Sequence, residues 1–332
     1  MDRKGICVAG NLVVDILYPV TGLPKPGELT TIQEGITRST GGAVCNVIGD
    51  LARMDPLLPL TALGRVGDDA EGDYVLGTLR PFKNVDLSMI KRDGKTAFTA
   101  VMADSVSKER TFFHYRGANA QFCEDDIDWE KITSSFLHIG YILILDALDE
   151  EDSQYGTKMA RLLCHAQERG IKTSLDVVSE AGERSKRLAP PSLKYADYCI
   201  INEVEAGQIT GINLRDDAGM LIASDIPKAL EAIKKMGVSQ WVVIHSPEGG
   251  FGIDHRRFVY SPAFNLPADY IKGKVGAGDA FCAGVIYVAS NGGSLEEALE
   301  LGNAAAAASL STPESTVGML PAAELKNLRK QF

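Results

Sequence analysis

The sequence predicts an α/β fold built on a mostly parallel sheet, and three observations carry that prediction. Short, continuous apolar runs recur along the chain, as strands buried on both faces require. Stretches of helical period separate them, so most successive strands join through crossovers rather than hairpins. Glycine-rich turns adjoin several of these elements, and ligands of such sheets gather at the carboxyl ends of the strands. At 332 residues, 45% hydrophobic and 23% charged, the chain has the composition of one large domain or two modest ones.

The elements follow in order. The first strand is expected at Ile6–Val14; Gly10, Asn11 and Asp15 interrupt the apolar stretch, so it reads as a strand rather than a signal peptide. Further strands are expected at Leu58–Leu63, Ser135–Ile139, Thr173–Val177, Tyr198–Ile201 and Trp241–Ile244. Helical spacing marks Ala43–Met54, Ala70–Arg80, Gln154–Arg169, Ile226–Met236, Ala280–Asn291 and Leu295–Leu310. Two segments break the alternation. Glu28–Thr37 and Thr96–Ala103, the latter followed by Arg110–Tyr115, alternate like strands without helices between them. They predict a small antiparallel accessory sheet, either a lid over a pocket or an ordinary edge hairpin.

Composition excludes several function classes. A formal charge of -10 and a pI near 5.1 argue against broad binding to nucleic acid or anionic membranes. No stretch approaches the ~18 apolar residues of a membrane span. Six cysteines occur without a C-x-x-C pair, which fits buried free thiols in a reducing compartment. The five histidines form no ligand cluster, so a zinc site is not expected. A cytoplasmic protein is expected.

Four motifs carry chemistry. In Gly276-Ala277-Gly278-Asp279-Ala280-Phe281 a glycine-rich turn opens a helix. Free N–H groups at a helix start form an anion site, and a carboxylate there makes sense as a general base beside it. Gly41-Gly42-Ala43-Val44-Cys45-Asn46 is a second diglycine turn opening a helix, followed by Gly64 to Gly72. With Asp15 beyond the first strand, Asn46 offers donors and acceptors to a polyhydroxyl ligand; each also reads as an ordinary helix-start or turn residue. Asn202-Glu203-Val204-Glu205 has the spacing of a capping box and also presents hard oxygens suited to Mg²⁺ or its waters. The run His245 to Gly252 either passes under a nucleotide or makes a tight hairpin. A P-loop is absent, because position 89 is Met89 where Gly94-Lys95-Thr96 would need a glycine. A G-x-G-x-x-G motif fails at Phe281 and lies too late in the chain for an N-terminal dinucleotide fold.

In this order the motifs resemble the ribokinase-like carbohydrate kinases, the PfkB family, from Ile6 to about Pro321. The resemblance implies a three-layer α/β/α sandwich over residues 1–332, with a small β-sheet lid from about 16–38 and 94–116. It implies ATP-dependent phosphorylation of a sugar hydroxyl, a primary alcohol, with Mg²⁺. Asp279 would be the catalytic base, and Gly276, Ala277 and Gly278 would help form the anion hole. Asp15, Gly41, Gly42, Asn46, Arg116 and Asn119 would surround the substrate. Asn202, Ser246, Glu248, Gly249, Gly250, Gly278 and Asn303 would bind the nucleotide, and Asn202 and Glu205 would hold Mg²⁺ through water. A homodimer through the lid would follow.

The sequence also departs from the family. Gly273-Lys274-Val275 stands where many members have Asp-Thr-Thr, so the family's monovalent-cation site lacks its Asp and Thr. Lys274 either adds charge near the phosphates or faces solvent. Val13 stands where ribokinases tend to have Asn, which weakens ribose as the substrate. Arg116 either grips the carboxylate or phosphate of an acidic sugar or is a surface arginine, and Arg38 adds slight weight to an anionic substrate. Phe113 and Tyr115 would suit the base of a nucleoside. An oxidoreductase lacks its early glycine motif, and a sugar sensor has no need of Asp279.

Overall fold

The computed structural model describes residues 3–107, 109–179, 182–255 and 257–332. The apolar runs form a ten-stranded sheet whose spatial order is Phe258–Pro262, Gly249–Ile253, Trp241–Ser246, Tyr198–Asn202, Lys172–Val177, Phe136–Ile142, Ile6–Gly10, Leu60–Val66 and Val85–Asp86. Ile90–Arg92 also pairs with Leu60–Val66. Pairing is parallel from Trp241–Ser246 onward, and the two strands before it form antiparallel hairpins. Period-two alternation assigns side chains to two cores: Ile6 and Val8 face one, Cys7 and Ala9 the other. Helices Gly42–Met54, Ala277–Ser290, Leu295–Ser309 and Ala322–Leu328 cover the first face. Helices Lys158–Glu168, Arg184–Leu193, Glu203–Thr210 and Ile226–Lys235 cover the second. The three layers of the expected α/β/α sandwich are therefore present. Among the described residues no helix is long and apolar enough to cross a membrane.

A second sheet of four strands has the order Thr37–Gly41, Val13–Val20, Ala97–Asp104, Arg110–Tyr115. It corrects three expectations. The stretch Ile6–Val14 is not one strand, because the chain changes sheets at Asn11 and Leu12. There the Asn119 amide both accepts from the Leu12 N–H at 3.3 Å and donates to its carbonyl at 3.0 Å. The strand expected at Glu28–Thr37 begins only at Thr37. The preceding run is largely exposed, so it buries little apolar surface to hold it extended. The accessory sheet is also not wholly antiparallel, since Val13–Val20 and Ala97–Asp104 pair in parallel. Strand Thr37–Gly41, two helices and three main-sheet strands separate those two strands, so both enter the small sheet from the same end.

One helix boundary matters for function. The helix expected to begin at Ala280 begins at Ala277. Gly276 turns the chain at φ +79, a conformation that glycine adopts without a Cβ penalty, and the Ala280 N–H closes on the Gly276 carbonyl at 2.8 Å. Asp279 is thereby a residue of the first helical turn, not of the preceding loop.

Candidate active site

At the carboxyl ends of the parallel strands two cavities meet, one of about 660 Å³ and one of about 570 Å³. Asn202, His245 and Gly278 line both. The partition between them is thus the start of helix Ala277–Ser290. Its first N–H groups precede the first intrahelical bond, and its N-cap, Gly276, supplies no side-chain cap. Such an end attracts an anion.

Asp279 lines the larger cavity and is 8% exposed. Two donors fix its carboxylate: Asn46 Nδ2 at 2.8 Å on one oxygen and the Tyr141 hydroxyl at 2.7 Å on the other. Ser315 donates to the Asn46 Oδ1 at 2.9 Å, so the Asn46 amide is itself oriented. Asn46 reaches this position because helix Gly42–Met54 starts hard against the strand turn. Gly42 has φ +83, and a Cβ there would lie 2.4 Å from the Asn11 carbonyl oxygen. Asp15 enters from the lid sheet, in register with Ser39 and Thr99, and a Cβ on Gly41 would lie 2.1 Å from its Oδ2. Phe112, His114 and Arg116 alternate into the same cavity, and Arg116 is paired with Asp146.

Asn202 caps helix Glu203–Thr210 in a complete capping box with Glu205. The Glu205 carboxylate accepts from the Asn202 N–H at 2.9 Å, from Asn202 Nδ2 at 2.7 Å and from the Ser179 hydroxyl at 2.8 Å. In the smaller cavity the Asn303 Nδ2 donates to the Ser261 carbonyl at 2.9 Å and the Ser261 hydroxyl at 3.0 Å. Lys274, Ala277 and Ser246 also line this cavity.

Residues 3–323 match the model of the pfkB family carbohydrate kinases. This chain belongs to that family. It is 27% identical over 302 residues to the ATP-dependent ribose-1-phosphate kinase of Halopiger xanaduensis, covering 90% of this chain and 89% of that one. It is 25% identical over 312 residues to the ribokinase of Arabidopsis thaliana, covering 92% and 75%. The solved structure of Arabidopsis thaliana ribokinase complexed with ribose and ATP superimposes with a TM-score of 0.78 at 21% identity, covering 99% of both chains. The chain is therefore a carbohydrate kinase, a phosphotransferase, with the ribokinase fold.

The electrostatics of the kinase's larger cavity are acidic. Burial pushes the Asp279 carboxyl above its ordinary value, against the hydrogen bonds from Tyr141 and Asn46. Burial also raises Asp15, where the Thr99 hydrogen bond opposes it and the Asp279 charge adds to it. Asp176, at the carboxyl end of Lys172–Val177, is raised well above the carboxylate range by burial and by Glu205 and Asp279. Burial lifts Glu205 to about 7. His245 is held neutral, lowered to about 4 by burial. Among the described residues no group of three His, Cys, Asp or Glu side chains converges as direct metal ligands. The Glu205 oxygens are already bonded to Asn202 and Ser179, so this acidic wall fits a divalent ion held through water rather than directly.

Most sequence candidates converge here, but some do not. Asn119 is fully buried with its amide bound to Leu12, and it does not line the cavity. Glu248 accepts from the two terminal guanidinium nitrogens of Arg215, at 2.9 and 3.0 Å, and does not line the smaller cavity. Gly249 and Gly250 open the hairpin strand Gly249–Ile253 rather than a loop, and a Cβ on Gly250 would meet Phe281 at 2.7 Å. They serve packing, while Ser246 and Pro247 at the hairpin tip face the cavity. Phe113 and Tyr115 point away from it and are 58% and 47% exposed. Sequence reasoning missed Tyr141, Asp176 and Ser315, and gave His245 no role beyond its place at the head of the glycine-rich run. Asp176 and Tyr141 were findable as polar residues closing apolar strands; Ser315 had no local signal.

Proposed function

We propose that this kinase transfers the γ-phosphoryl group of ATP to a primary hydroxyl of a sugar or sugar derivative. The observation that carries the reading is the meeting of the two cavities at Gly278, with an uncapped helix start between them and Asp279 on one side. ATP occupies the cavity lined by Asn303, Ser246 and Ala277, with its terminal phosphate at the N–H groups of Ala277, Gly278 and Asp279. The acceptor occupies the cavity lined by Asp15, Gly42 and Asn46, its hydroxyl against Asp279. Asp279, held by Asn46 and Tyr141, takes the hydroxyl proton as the oxygen attacks. Phosphoryl transfer needs this alignment and charge neutralisation more than covalent help. Mg²⁺, held through water by Asn202 and Glu205 with Asp176 beside them, would offset phosphate charge in this acidic setting. The lid sheet excludes water that would otherwise accept the phosphoryl group.

A second, finer reading concerns the acceptor. Arg116, paired with Asp146, brings a guanidinium to the lid wall of an otherwise acidic cavity, and His114 stands beside it as an imidazole that burial and Arg116 hold toward its neutral form. That wall favours an acceptor bearing a phosphate or carboxylate, and one relative is named a ribose-1-phosphate kinase. The aromatic residues that would have suited a nucleoside base lie on the opposite lid face, with Phe98 and Tyr115 in ring contact at 5.4 Å. That exposed face supports a homodimer through the lid, an assembly that a monomeric mass in light scattering excludes.

The test is a coupled ADP-release screen over sugars, sugar acids, sugar phosphates and nucleosides. A hydroxylated acceptor should trigger ADP release, and Asp279→Asn should lower turnover by roughly 10²–10⁴ while leaving ATP binding intact. ATP binding without release on any acceptor would end the reading, and near-normal turnover by D279N would remove Asp279 from it.

A further inference from the structure

The approach to the helix start is held rigidly. The Lys272 N–H donates to the Leu310 carbonyl at 2.8 Å. A Cβ on Gly273 would lie 2.8 Å from the Pro313 Cα, and one on Gly276 would lie 2.6 Å from the Ser315 Cβ. Backbone on both sides of Lys274 is therefore pressed against residues 310–315, and Lys274 is the one long side chain between the fixed points. It is exposed and lines the smaller cavity with Ser246, Ala277 and Gly278. Among the described residues it is the only Lys or Arg lining that cavity. The one carboxylate there, Glu203, is held by Arg215 at 2.6 Å. Lys274 itself has no ion-pair partner among the described residues.

The other side of the partition is electrostatically opposite. Asp15, Asp176, Glu205 and Asp279 all line the larger cavity. A polyphosphate reaching Gly278 brings negative charge beside four carboxyl groups whose own ionisation burial already disfavours, and an unpaired ammonium on its own side offsets that cost. An ammonium is a compact point charge on a flexible stem, suited to phosphate oxygens at several angles.

We propose that Lys274 is a phosphate-binding residue of this kinase, contacting the outer phosphates of the nucleotide whose terminal phosphoryl group lies at the Ala277–Asp279 N–H groups. This rests on the reading of the smaller cavity as the nucleotide site. Its role is to neutralise and position, while proton transfer belongs to Asp279. The residue does for the phosphates what a bound cation does elsewhere in a phosphoryl-transfer site, and it does so from a fixed backbone position.

The experiment measures binding of ATP, ADP and adenosine by calorimetry, at constant Mg²⁺ and ionic strength, to the wild type, Lys274→Gln, Lys274→Arg and Lys272→Gln. Losing one charge-assisted phosphate contact should weaken ATP and ADP by roughly 10- to 100-fold. Adenosine should stay within about twofold, and Lys274→Arg should recover most of the loss, because it keeps the charge. Lys272→Gln removes the same charge two residues away, outside the cavity, and should change ATP affinity less than about twofold. Unchanged ATP affinity in K274Q overturns the proposal. So does an equal loss in K272Q, which would mark a diffuse field, or an equal loss of adenosine affinity, which would mark a disturbed wall. A wild type that binds no adenine nucleotide would instead sink the assignment of the cavity, and this proposal with it.

Discussion

Asp50 offers a test of how this fold tolerates a carboxyl in its core. It lies one helical turn beyond Asn46 on helix Gly42–Met54, is fully buried, and neither carboxyl oxygen has a hydrogen-bond partner among the described residues. Burial raises its pKa well above the ordinary value, the Asp279 charge adds to the rise, and Arg53 opposes it. A raised folded-state pKa means that the folded chain keeps a proton the unfolded chain releases. The associated stability is full below the unfolded carboxylate pKa near 3.9 and is lost as pH rises toward the folded value. Replacing Asp50 with Asn removes the titration, and replacing it with Leu also removes the unsatisfied polar group, which costs about 1–3 kcal/mol. With unfolding entropy of about 2.1 cal/mol/K per residue, a chain of this length converts that into a Tm gain of roughly 1.5–4 °C. Thermal unfolding of the wild type, D50N and D50L at pH 5, 6, 7 and 8 would read it. Both variants should gain on the wild type as pH rises. A Tm difference constant from pH 5 to 8, or a D50N variant less stable at pH 8 than the wild type, would refute the reasoning, because Asp50 would then have a partner that rewards its charge.

Two further outcomes follow from the hydrogen bonds around Asp279. Tyr141→Phe removes a donor that lowers the Asp279 pKa, so kcat/KM should fall roughly 10-fold and the acidic limb of its pH profile should move to higher pH; an unmoved limb would mean that Tyr141 only fills space. Ser315→Ala frees the Asn46 amide and should raise KM for the acceptor by about 3- to 10-fold with little change in ATP affinity, whereas an equal change for both substrates would point to collapse of the 310–315 segment.

The sequence made the strand-helix alternation legible because apolar runs and helical periods are local signals. Tyr198–Asn202 and Trp241–Ser246 begin where the runs place them. The Asp279 turn and the Asn202–Glu205 capping box were legible for the same reason: each is a short, ordered pattern with its own physics. What the pattern could not show was pairing between distant segments. The swap of sheets at Leu12 depends on Asn119, 107 residues away. Glu248 sits in a glycine-rich run that looks like a nucleotide loop, and only the approach of Arg215 from elsewhere shows it engaged. Ser315 lies 269 residues from the Asn46 it orients, in a stretch with no motif. Asp176 illustrates a signal underused: an aspartate within Leu175–Val177 is costly in a buried strand unless the strand end opens on a site.

The small sheet meets the large one along one edge and is tied a second time where Arg38 contacts Tyr74 and Glu71 of helix Ala70–Leu79. Val13, Gly41 and Ala97 lie in one register row, Tyr115 lies one residue further along, and each is where its strand meets the rest of the molecule. Gly41 passes directly into helix Gly42–Met54, so the joint has no slack. Any turn of the sheet about that edge would act like a page about its binding. The row of Asp15, Thr99 and His114 stands two residues from the binding, roughly 7 Å out at 3.3 Å per residue. The row of Leu17, Val101 and Phe112 stands four residues out, roughly 13 Å. A 10° turn of the page therefore shifts Asp15 by only about 1 Å and Phe112 by about 2 Å. A rigid turn of the sheet would therefore leave the inner row nearly in place beside Asp279 and reserve the larger travel for the outer row.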